Sequence, residues 1–127
     1  MSTPEEVAAS IAGWRLRDEQ EHPPGLYALV LEWLNDPDEE VRHEAVMFLG
    51  RHLRQLSDAQ TLLEMVVADP SERIRKEVAD CLGGIFRNTH DRRVAALLAD
   101  VARDPREDGL VRSAALGAIR RINHQRF

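Results

Sequence analysis

The side chains able to do chemistry do not fall into a catalytic pattern. His22, His43, His52, His90 and His124 are scattered, and no two stand at the i, i+4 spacing with which one helix face grips a metal ion. Ser10, Ser57, Ser71 and Ser113 occupy helix or capping positions, with no partnered base to activate a nucleophile. Cys81 is the one cysteine, so no internal disulfide is possible. It lies in an apolar helical stripe, where a thiol is buried and inert. A phosphate-cradling glycine loop follows a strand, and no strand pattern is present. No enzyme activity, cofactor or metal is expected.

What recurs is a chemistry of carboxylates and guanidinium groups. Asp36-Pro37-Asp38-Glu39 leads to Val41-Arg42, Asp69-Pro70-Ser71-Glu72 to Ile74-Arg75, and Asp104-Pro105-Arg106-Glu107 to Val111-Arg112. The three leading aspartates are 33 and 35 positions apart, a period that marks a stacked helical repeat. Asp suits a helix N-cap, Pro suits the first helical position, and Glu three residues after the Asp completes a capping box. Each copy is therefore expected to open a helix at its Asp. Thr3-Pro4-Glu5-Glu6 and Ser57-Asp58-Ala59-Gln60 look like two further starts.

The elements follow from apolar spacing at 3.6 residues per turn. An N-terminal helix over about 3–20 carries Val7, Ile11 and Trp14 on one face, and Glu21-His22-Pro23-Pro24-Gly25 ends it. Helix pairs are then expected over 25–54, 57–87 and 89–122, with a short tail to Phe127. Counted from Val41, Ile74 and Val111, the residues four, seven, eight and eleven further on share the core face. These are Ala45, Phe48, Leu49 and His52, then Val78, Cys81, Leu82 and Ile85, then Ala115, Ala118, Ile119 and Ile122. Trp14 and Trp33 stand at core spacing as well. The chain is 43% hydrophobic and 31% charged with only 5% aromatics, a composition of helical proteins, and residues 1–127 read as one domain. No stretch has the roughly 18 apolar residues of a membrane span, and the first six residues lack a secretory pattern. With a lone cysteine, a reducing, cytoplasmic compartment is expected.

The motif Asp-Pro-x-x-x-Val-Arg-x-x-Ala after a short apolar helix resembles the HEAT-type repeat, close to short bacterial HEAT-like domains. The resemblance covers about Leu26 to Ile122 and leaves the N-terminal helix as a cap. It implies an all-α fold, a right-handed α-solenoid of antiparallel helix pairs. It also implies a ladder between repeats, in which Asp36 and Arg42, Asp69 and Arg75, and Asp104 and Arg112 take part. Two extra residues at Glu107-Asp108-Gly109 put Arg112 eight rather than six after its Asp, so the third rung departs from the pattern.

Function is expected on the face opposite the core stripe, which the resemblance makes the concave side. It carries His43, Met47, Gly50 and Arg54 in the first copy, and Lys76, Asp80, Gly83 and Arg87 in the second. The third adds Ser113, Gly117, Arg120 and His124. The glycines either let a partner's backbone approach or relax the helix near its end. The chain has net charge −5, but residues 1–64 hold 13 acids against 5 bases and residues 65–127 hold 9 against 12. The leading expectation is a non-catalytic module binding a protein partner on His43, Met47, Arg54, Lys76, Asp80, Arg87, Ser113 and Arg120. An alternative is an immunity- or antitoxin-type inhibitor, covering a basic enzyme with the acidic run Asp36 to Glu40, Glu32 and Glu44. Nucleic-acid binding, as in HEAT-like DNA glycosylases, is a lesser alternative, because a −5 chain lacks a broad basic footprint, and a HEAT-like lyase acting on a bilin chromophore is favoured less still, for want of a Cys or His cluster. A monomer or weak dimer is expected, since polar Arg120 and Arg121 suit a terminal cap.

Overall fold

The computed structural model describes residues 25–124. The N-terminal helix expected over 3–20, and Phe127, lie outside the described residues. Six helices make three hairpins: α1 (Leu26–Trp33) with α2 (Glu39–His52), α3 (Ala59–Ala68) with α4 (Glu72–Ile85), and α5 (Arg92–Arg103) with α6 (Gly109–Ile122). A single 3-10 turn, Leu56–Asp58, precedes α3. The described residues contain no strand.

The Asp-Pro motif opens these helices differently from the capping box expected of it. Asp36 Oδ1 accepts the backbone N–H of Asp38 at 2.8 Å, Asp69 Oδ1 that of Ser71 at 2.9 Å, and Asp104 Oδ1 that of Arg106 at 2.9 Å. The motif therefore builds the same Asx-type turn three times, just ahead of the helix. The caps are Asp38, Ser71 and Asp108, which accept from Glu40 N, from Ile74 N, and from both Leu110 N and Val111 N. Glu39 and Glu72 become first-turn residues, where their charge suits the helix dipole. In the third copy the two extra residues postpone the start to Gly109. The Ser57-Asp58 start also differs. No side chain caps α3, and the Asp58 carboxylate instead accepts the Tyr27 hydroxyl at 2.6 Å. Asp91 caps α5, accepting from Val94 N at 3.0 Å.

The core stripe of each second helix turns onto its own first helix. Val41, Ala45, Phe48 and Leu49, then Ile74, Val78 and Leu82, then Val111, Ala115, Ala118 and Ile122 are fully buried. Against them lie Val30 and Leu34, Leu62 and Val66, and Leu98 and Val101 from the first helices. His52 is partly buried, with its ring 4.8 Å from that of Phe48.

Contacts between repeats run chiefly through the second helices, α2 against α4 and α4 against α6. Two glycines permit this closeness. A Cβ on Gly50 would stand 2.7 Å from Cys81 Sγ, and one on Gly83 would stand 2.8 Å from Ala118 Cα. Gly50 and Gly83 occupy the same repeat position, as do Cys81 and Ala118, so one small-residue contact is used twice. These glycines serve a neighbouring repeat, which was neither of the roles expected of them. On the other side α3 and α5 diverge, leaving a groove of about 630 Å3 lined by Leu63, Val67, Val94 and Leu97. A stack whose second helices touch while its first helices splay curves around the second helices. These form its inner row.

Candidate partner-binding face

Two rungs fix the inner row. Arg42 donates Nε and Nη2 to Asp69 Oδ2 and Oδ1 at 3.0 and 3.2 Å, and Nη1 to the Asp36 and Pro37 carbonyls at 2.9 and 3.1 Å. Its side chain is 11% exposed and that of Asp69 4%, so the fork is largely shielded from water. Arg75 repeats the geometry, with Nε and Nη2 each 2.9 Å from a Glu107 carboxylate oxygen and Nη1 2.7 Å from the Asp69 carbonyl. Its hydrogen bond to Arg75 holds the Glu107 carboxyl below the ordinary glutamate range.

The second rung thus takes Glu107 in place of the expected Asp104. The lengthened turn carries Asp104 outward, where its carboxylate accepts the Arg106 backbone N–H, and brings the next acid into the rung. No third rung forms among the described residues. Arg112 donates Nε to the Ala102 carbonyl at 3.0 Å and meets no carboxylate among the described residues. At the next position along that face, Val46 and Ala79 are fully buried under a following repeat, whereas Leu116 is 47% exposed.

The residues expected on the outward face are not equally available. Arg54 is stacked, its guanidinium carbon 4.6 Å from the Tyr27 ring centre, and its backbone N–H donates to the Tyr27 hydroxyl at 3.0 Å. Lys76 pairs with Asp80 at 3.3 Å, and Asp80 also receives Arg121 at 3.6 Å. His43 and Met47 are partly buried, and His43 Nδ1 is buried without a partner among the described residues. Gly83 is buried under Ala118, so it offers nothing to a ligand. Ser113, Arg87, Arg120 and His124 are exposed.

Arg87, Arg120 and His124 come together with Asn88 and Arg121 around a cleft of about 410 Å3 at the C-terminal ends of α4 and α6. A loop held in an uncommon conformation shapes it. Asn88 and His90 adopt positive φ of 61° and 55°, which costs a non-glycine residue energy. The strained loop is anchored because its N–H groups satisfy carbonyls at the end of the next repeat. Asn88 N donates to Arg121 O at 3.0 Å and His90 N to Ile122 O at 3.0 Å. Thr89 Oγ1 donates to Phe86 O at 2.7 Å. Asn88 and Arg121 are the cleft residues that sequence reasoning left out. The available signal was an Asn-Thr-His run directly after a helix, since Asn tolerates the left-handed region.

The acidic run of the first copy is largely occupied. Glu40 and Glu39 both bind Arg73 of the next repeat, Glu39 at 3.5 Å, and this lowers the Glu40 carboxyl below its ordinary range. Asp38 caps a helix. Burial pushes the Cys81 thiol up to about 12, and its Sγ donates to the Val46 carbonyl at 3.4 Å. Among the described residues no group of three or more His, Cys, Asp or Glu could hold a metal ion. No described helix is long and apolar enough to cross a membrane.

Stacked antiparallel helix pairs joined by short turns and arginine rungs define a helical-repeat protein. A family profile described as HEAT repeats matches residues 27–120, and the chain belongs to that family. No match was found among curated proteins or among solved structures.

Proposed function

We propose that the chain is a non-catalytic module that holds a protein partner against its inner helix row. HEAT repeats generally serve protein interaction, which supports the reading. One observation carries the reading. In a chain of net charge −5, the exposed cations Arg87 and Arg120 share one cleft with the exposed His124, and none of the three has a carboxylate partner among the described residues. Arg42, Arg73 and Arg75 by contrast each bind an acid. The partner is expected to present acidic groups to this edge.

The inhibitor reading has less support, because Arg73 already neutralises Glu39 and Glu40. Capture from an extract of cells that express the chain tests the proposal. The native chain is compared with Arg87→Glu/Arg120→Glu and with Arg92→Glu/Arg93→Glu, a charge-matched control at the start of α5. Loss of one partner from the first variant alone is expected. Equal retention by all three baits removes this edge as the binding surface.

A further inference from the structure

We infer that the cleft between the C-terminal ends of α4 and α6 is an oxyanion site, taking a carboxylate or phosphate group from the partner. The inference rests on the partner-binding reading and adds the chemistry recognised at its centre. Four basic residues, Arg87, Arg120, Arg121 and His124, line about 410 Å3 together with Asn88. They come from two different repeats, so no single helix dipole accounts for their meeting. Asp80 is the nearby acid, and it is already shared between Lys76 at 3.3 Å and Arg121 at 3.6 Å. The cleft therefore keeps an excess of positive side-chain charge, which the C-terminal dipoles of α4 and α6 relieve only in part.

The site is also held in shape before any ligand arrives. The Asn88 to His90 loop is fixed by two backbone hydrogen bonds to α6, and Gly83 leaves room for Arg121 to cross α4. Asn88 Oδ1 is buried without a partner among the described residues. Turning that amide over exchanges the oxygen for an NH2 donor with almost no change of shape. Arginine forks suit planar or tetrahedral oxyanions, which accept two N–H groups at once. A phosphate group brings close to two negative charges at neutral pH and a carboxylate one.

The test is an NMR titration of the full chain at low salt and constant ionic strength, with inorganic phosphate in one arm and succinate in the other. Backbone amides of Asn88, Thr89 and His124 are followed, with those of Arg42 and Arg106, beside the N-terminal ends of α2 and α6, as references. Saturable shifts confined to the cleft are expected, and affinity should fall at least tenfold in Arg87→Gln/Arg120→Gln. Both arginines are exposed, and an otherwise unchanged spectrum verifies the variant's fold. Tighter binding of phosphate assigns a phosphate source, and equal or tighter binding of succinate assigns a carboxylate. Shifts spread evenly over all arginines, or unchanged in the variant, overturn the site. The titration uses no partner, so its failure leaves the capture result to decide the wider reading.

Discussion

Gly83 and Gly84 are adjacent in α4, and replacing each by alanine should affect stability differently. Both substitutions gain about 1 kcal/mol or somewhat less from helix propensity and reduced freedom of the unfolded chain. Gly84 has nothing within 4 Å of the new methyl, so that gain is kept. At Gly83 the methyl would meet Ala118 Cα at 2.8 Å and Ala118 Cβ at 2.9 Å. A backbone atom cannot rotate away, so α4 and α6 must separate. Overpacking of this kind costs about 1–3 kcal/mol, which cancels the gain or turns it into a net loss of up to about 2 kcal/mol. The two variants should differ by the overpacking cost alone, roughly 1–3 kcal/mol, or about 4–12 °C in Tm for a chain of this size. Thermal and urea unfolding followed by circular dichroism measure it. If Gly83→Ala proves as stable as Gly84→Ala, the second helices are not locked by this contact, and the account of the inner row is wrong.

Gly50→Ala should destabilise by about 1–2 kcal/mol in the native background and far less with Cys81→Ala, because the sulfur is the atom it would strike; a double-mutant cycle reads the coupling. Asp69→Ala should cost about 3 kcal/mol in denaturant unfolding, since it strands the shielded Arg42 and removes the Asx turn that Asp69 builds. A loss below about 0.5 kcal/mol would reduce the rung to a surface pair. Glu107 has a folded-state pKa below its ordinary value of 4.5, so its contribution is complete above that value and fades as pH falls through the lower folded value. Unfolding of native and Glu107→Gln chains at pH 7 and pH 3 should show the variant's deficit at pH 7 shrinking in acid. Cys81, raised from 9.0 to about 12, should react with a thiol reagent at pH 8 about a thousandfold more slowly in the folded than in the unfolded chain; equal rates would contradict its burial.

The parts of this fold that depend on local chemistry were legible in the residues. The three Asp-Pro motifs, the spacing of Val41, Ala45 and Leu49, and its recurrence at Ile74 and Val111 each report one helix and one face. What depends on two repeats meeting was not. Asp69 reads as an N-cap because Asp and Pro satisfy that role by type, yet the Asx turn uses the same atoms two residues earlier. The insertion at Glu107 was visible, but only the packed turn shows that it exchanges one carboxylate for another. Gly83 and Ala118 lie 35 residues apart, and neither announces the other. The cleft is the same kind of case: Arg87 and Arg120 were visible as outward residues, while Asn88 joins them only because its loop caps a helix from the next repeat.

The charge asymmetry of the chain has a sharper form in three dimensions. Acids gather at the N-terminal ends of the second helices, as Glu39, Glu40 and Glu72 do, and bases at the C-terminal ends, as Arg51, Arg120 and Arg121 do. Helix dipoles favour that arrangement whatever the protein does, so the asymmetry alone says nothing of a partner. The two edges differ in what remains after internal pairing. Arg73 reaches across to Glu39 and Glu40 and quiets the acidic edge. Among the described residues at the basic edge only Arg121 finds an acid, Asp80, and that acid is already shared with Lys76. A stack selected for stability alone would gain from a carboxylate beside Arg87 and Arg120, since unrelieved like charges within a Debye length repel. The uncompensated edge is where an acidic partner would relieve that repulsion on docking, and salt should weaken the complex there first.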